Sequence, residues 1–102
     1  PSVSESYVNS TVYKILYEFL NEKQGFKDPN LSLESMAEQL SISKTKLSNY
    51  LNECFGMNFP EVINRYRINH FIELYKKDDL KLMKVETLIL QSGYRNKTTF
   101  YF

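Results

Sequence analysis

One stretch of this chain carries polar side chains in a pattern that can do chemistry: SKTKLSNYLNE, beginning at Ser43. If it is helical, Leu47, Tyr50, Leu51 and Cys54 share one side. Thr45, Lys46, Ser48, Asn49 and Asn52 are then turned outward. Asn can pair with adenine through two hydrogen bonds, and Ser or Thr can donate, accept or touch a thymine methyl group. Lys44 and Lys46 are better suited to phosphates. Small polar residues also simply solvate helices, so the meaning of this face depends on what surrounds it.

Other chemistries find little support. The chain has one cysteine, Cys54, and one histidine, His70. That excludes a disulfide framework and leaves too few ligands for a zinc site, so neither metal nor cofactor is expected. No Gly-rich phosphate loop, carboxylate cluster or nucleophile–base pair is visible, so an enzyme is not expected. Cys54, beside Phe55, reads as a packing residue, and His70 as a partly buried helical one. No apolar run approaches the ~18 residues of a membrane span, and no signal peptide is seen. The opening at Pro1, without Met, reads as part of a longer chain.

The composition, 42% hydrophobic and 25% charged over 102 residues, suits one small globular domain. Net charge is only +1, but its distribution is uneven. Residues 1–40 hold three Lys against six acids, and residues 41–77 hold six Lys and Arg against three. Residues 78–102 hold four against three. Such asymmetry suits one face that meets an anion, and equally a mixed solvated surface.

The elements that must position these residues are helical. Pro1–Ser6 reads as a linker. Val8, Val12, Ile15, Leu16, Phe19 and Leu20 recur at helical spacing and predict a helix over about 8–24, ended by Gly25. Ser32 caps a short helix whose stripe is Leu33, Met36, Ala37 and Leu40. Ser43 caps the next helix, and Gly56 closes it. Asn58, Pro60 and Glu61 form a capping-box-like start to a helix over about 59–77. Val62, Ile63, Tyr66, Ile68, Phe71, Ile72, Leu74 and Tyr75 surround that helix, which predicts packing on several sides. Asp78-Asp79 breaks it. A short helix over about 84–92 buries Val85, Leu88 and Ile89, and Asn96 caps a last one.

Residues 33–51 and 85–102 repeat each other. Leu33, Met36 and Ala37 lie 52 positions before Val85, Leu88 and Ile89, and Ile42 lies 52 before Tyr94. Leu47 and Phe100 are 53 apart, one extra residue in the second turn. Each copy is a short helix, a turn holding an apolar plug, and a capped second helix. That is helix-turn-helix grammar, in which the second helix enters the DNA major groove. Helical hairpins of this size also occur in bundles that bind only protein, and that alternative stays open. A multiply packed helix between two copies favours DNA.

The stretches LSLESMAEQLSISKTKLSNYL, FGMNFPEVINRYRI and VETLILQSGYRNKTTF resemble the C-terminal DNA-binding domain of the AraC/XylS family of bacterial transcription regulators. The likeness covers roughly residues 12–102. Gly93-Tyr94 and Phe100 stand where the family has Gly-Phe and a later Phe. Two positions depart from it: Ile89 and Phe71 stand where small residues are frequent. The resemblance implies an all-α fold of two helix-turn-helix motifs joined by a linker helix, about six helices here with the last incomplete. The family continues past this point with a Gly-x-x-Pro turn and a final helix, so these residues by themselves are expected to bind DNA weakly or not at all. The organisation expected is a linker over 1–6, a first motif over 7–57, the linker helix over 58–77 and a second motif over 78–102.

By the same resemblance, Thr45, Ser48, Asn49 and Asn52 correspond to base-reading positions in the first copy. Lys97, Thr98, Tyr101 and Phe102 are their counterparts in the second. Lys44, Lys46 and Arg95 suit phosphates, while Arg67 is expected to be structural. Phe102 could touch a thymine methyl group or pack on a following helix. The implied partners are double-stranded DNA, a fused N-terminal sensor or regulatory region outside this chain, and RNA polymerase. The implied location of the DNA-binding part is the cytoplasm.

Overall fold

The computed structural model describes residues 11–79 and 81–101. Among these there are six helices and no strand. The expected linker at Pro1–Ser6, the inward Val8 and the aromatic Phe102 lie outside the described residues.

Helix α1 (11–22) buries Leu16, Phe19 and Leu20, while Ile15 is exposed. Its last turn, Glu18–Glu22, is π-wound, and the Lys23 N–H reaches back to the Glu18 carbonyl at 2.8 Å. The wider turn accompanies the burial of two adjacent side chains, Phe19 and Leu20. The helix ends before Gly25: Gln24 takes the left-handed conformation and Gly25–Lys27 forms a 3₁₀ turn. This turn buries Phe26, whose ring packs beside those of Tyr66 and His70.

Helix α2 (Leu33–Leu40) starts with a capping box, in which the Ser32 and Ser35 hydroxyls each accept the other's N–H. Met36 and Ala37 are buried, Leu33 and Leu40 half-buried. Helix α3 (Lys44–Phe55) is capped by Ser43 and stops at Gly56, where φ is +68°. Leu47 and Leu51 are fully buried, and Cys54 is packed at the edge of the same core.

Helix α4 (Phe59–Lys77) has the expected capping box: Asn58 Oδ1 accepts from the Glu61 N–H, and Glu61 Oε1 accepts from the Asn58 N–H. It is the linker helix. The expectation that it is packed on several sides holds only in part. Val62 and Ile63 are buried, but Ile72 and Tyr75 stay 41% and 42% exposed. At 19 residues the helix is about 28 Å long, more than two small helix pairs can surround. Asp78 ends it, and its carboxylate accepts the Leu82 and Met83 N–H groups.

Helices α5 (Val85–Gln91) and α6 (Lys97–Tyr101) form the second pair, with Asn96 just before α6. Leu88 and Ile89 are buried, whereas Val85, expected inward, is 42% exposed. The buried residues of the main core run from Leu16 to Ile63, with Val12 and Tyr66 packed against it, and Leu88, Ile89 and Tyr94 are buried apart from it. The molecule is elongated, 47 × 26 × 22 Å. Its radius of gyration is 15.1 Å, against about 13 Å for a compact domain of this size.

Candidate nucleic-acid interface

The Ser43 hydroxyl accepts the Lys46 N–H at 3.1 Å and fixes the start of α3. With Leu47 and Leu51 locked in the core, the opposite side of the helix is set. Thr45, Lys46, Asn49 and Asn52 are exposed, and Ser48 is half-buried. Ser48, Asn49 and Asn52 share one shallow groove of about 360 Å³ with Gly56, Asn58 and Glu61. Thr45 lies one turn earlier than Ser48 and Asn49, on the same face. The Glu61 carboxylate in this groove was not foreseen as a neighbour. Its tie to the Asn58 N–H keeps it on the helix start, where the dipole favours an anion.

In the second copy Lys97 and Thr98 are exposed on α6. Phe100 faces inward as expected, packing edge-on to Tyr94 at 5.1 Å and against Phe71 at 4.8 Å. That cluster explains the large residue at position 71, which also stacks on Tyr75 at 6.1 Å. Ile89 is likewise absorbed, only 1% exposed. The side chain of Tyr101 and all of Phe102 lie outside the described part of the chain, so their expected reading roles have no structural account.

The two copies share an ion pair. Lys44 Nζ lies 3.7 Å from Glu34, and Lys97 Nζ lies 3.8 Å from Glu86. Glu86 follows Glu34 by 52 positions and Lys97 follows Lys44 by 53, the offsets of the repeat itself. The third cation, Arg95, donates to Asn30 Oδ1 at 2.8 Å. Lys44, Lys97 and Arg95 thus each have a partner within the chain, which a phosphate would have to replace.

Arg67 is structural, as expected, but its partners are carbonyls. Nε donates to the Phe26 oxygen at 2.8 Å and an amino group to the Asp28 oxygen at 2.9 Å. Burial pushes its pKa down from the ordinary arginine value, and nearby Tyr94 and Asp28 oppose that shift. The guanidinium stays charged. Tyr94, the plug of the second turn, is buried and donates its hydroxyl to Asn64 Oδ1 at 2.7 Å. Burial raises the Tyr94 pKa. His70 sits edge-on to Phe26 at 5.5 Å, and burial, aided by Lys27, lowers its pKa.

Among the described residues no group of three or more His, Cys, Asp or Glu is placed to hold a metal ion. No helix among them is long and apolar enough to cross a membrane.

Two helix pairs joined by a long helix define a double helix-turn-helix domain. A family model described as a helix-turn-helix domain, of AraC type, matches residues 36–101. The chain belongs to the AraC-type helix-turn-helix family. A solved structure of a protein of unknown function from Listeria innocua is similar, with a TM-score of 0.70 and 21% identity. The match covers 88% of this chain and 79% of that one, and it bears on the fold alone. No curated protein gives a match.

Proposed function

We propose that this chain is the sequence-specific DNA-binding part of a bacterial AraC-type transcription regulator, with α3 and α6 entering successive major-groove segments. The observation that carries this reading is the repeat in three dimensions. Both copies bury the two central stripe residues (Met36 and Ala37, Leu88 and Ile89), turn through a left-handed residue and pair the same glutamate with the same lysine. The elongated shape suits two segments one DNA turn, about 34 Å, apart.

In this reading Thr45, Ser48, Asn49 and Asn52 meet base edges in one segment. Lys97, Thr98, Tyr101 and Phe102 meet them in the next. Lys44, Lys46 and Arg95 take phosphates. A fused sensor region and RNA polymerase would be the further partners, and the site of action the cytoplasm.

The test is binding to duplexes selected from a random pool, measured across salt concentrations. Three phosphate contacts predict a log–log slope of about −2.7 or steeper. Asn49→Ala should lower discrimination between selected and shuffled duplexes by about 1–3 kcal/mol. Binding without sequence preference, or none at low salt by a chain carrying the native residues after Phe102, would refute the proposal.

A further inference from the structure

The two helix pairs are joined by more than α4. The turn at residues 24–31 leads from α1 into the first pair, the turn at residues 92–95 lies within the second, and they meet beside α4. Gly93 presses on the first turn. A Cβ at that position would lie 2.3 Å from the Phe26 oxygen and 2.9 Å from Lys27 Cα, both backbone atoms. Its φ of +101° also excludes an unstrained side chain. Arg67 bridges the seam: it holds the Phe26 and Asp28 carbonyls while its guanidinium lies 5.8 Å over the Tyr94 ring. Tyr94–Asn64 and Arg95–Asn30 add two more bonds.

We propose that Arg67 and Gly93 form a latch that sets the separation and rotation of the two reading helices, so that the protein measures the spacing of two half-sites. This rests on the proposal that both α3 and α6 read DNA. A hinge at α4 alone would leave the second pair free to roll about that helix. Gly93 packed on the Phe26 carbonyl, the Tyr94–Asn64 bond and the Arg95–Asn30 bond remove that freedom, and Arg67 holds the Phe26 and Asp28 carbonyls in place beneath them. Arginine suits this place because its planar fork offers Nε and an amino group to the two carbonyls in one fixed geometry while its face lies over the Tyr94 ring.

Each base pair inserted between the half-sites rotates the second by about 34–36°. A latched protein cannot follow, whereas an unlatched one can.

Two measurements on the full chain test this. The first compares wild type with Arg67→Lys on the selected site, intact and with one base pair inserted. Wild type should lose roughly tenfold or more in affinity on insertion, the size of a mismatched contact. Arg67→Lys should bind the intact site more weakly but lose less than about threefold on insertion. The second needs no DNA. Spin labels at Glu38→Cys and Gln91→Cys, with Cys54→Ala, report the distance between the pairs. The distribution should be narrow with Arg67 and broad in Arg67→Lys.

An unchanged spacing profile with unchanged distances overturns the latch, as does a broad wild-type distribution. If wild type carrying the native residues after Phe102 does not bind DNA, the reading role fails while the distance measurement still decides the latch. Should Arg67→Lys fail to fold, Arg67→Gln, which leaves no buried charge and one amide donor in place of the fork, carries both comparisons to the same outcomes.

Discussion

The first helix pair and the second follow one backbone path for different reasons. Ser41 and Gly93, 52 positions apart, both take the left-handed conformation at the tight turn, with φ of +58° and +101°. Ser41 is exposed, so its turn is a local solution to ending α2. Gly93 is buried against the backbone of the other pair, so its turn is a tertiary joint. The stripes differ likewise. Met36, Ala37 and Leu47 belong to the main core, while Leu88 and Ile89 are buried outside it and Phe100 is half-buried. A repeated pattern can therefore encode the same shape with unequal stability. The first pair is the foundation and the second is held against it.

This difference can be broken most sharply in the core. Leu47→Ala should cost about 3–5 kcal/mol in chemical denaturation, and Phe100→Ala only about 1–2 kcal/mol although it removes more atoms. Equal costs would show that the two pairs share stability. The turn comes next. Gly93→Ala should destabilise by about 2–4 kcal/mol through strain and backbone contact. Ser41→Ala should stay within about 0.5 kcal/mol, its side chain being exposed. A neutral Gly93→Ala would remove the joint from the second turn. The smallest effect concerns the shared ion pair. Glu34→Gln and Glu86→Gln should each free a lysine and tighten DNA binding by no more than about 1 kcal/mol, since both pairs are exposed. Weaker binding by either variant would mean that its glutamate orients the lysine towards phosphate, and a difference between them would mark the copies as electrostatically unequal.

Much of the fold was legible in the sequence because it depends on local rules. Ser32, Ser43 and Asn58 cap as expected because short polar side chains satisfy the first N–H groups of a helix wherever it sits. Helical periodicity located the buried side of α3, and the repeat offsets located α5 and α6. The misses have one cause. Ile15, Ile72 and Val85 are apolar at helical spacing, yet exposed. Periodicity says which residues could be covered but not whether another element arrives to cover them. Ser48 shows the converse, a residue expected outward that is half-buried. Arg95 and Lys97 read as free cations because the sequence alone does not place Asn30 or Glu86 beside them.

The sequence by itself determined six helices, the caps at Ser32, Ser43 and Asn58, the two-copy plan and the polar face of α3, because these depend on interactions within a few residues. Only the tertiary structure decided how the copies are joined. The contacts that do so, Arg67 on the Phe26 and Asp28 carbonyls and Gly93 against Phe26, link residues about 40 to 65 positions apart. Their meaning lies in backbone atoms, which every residue type carries alike and no side-chain pattern can announce.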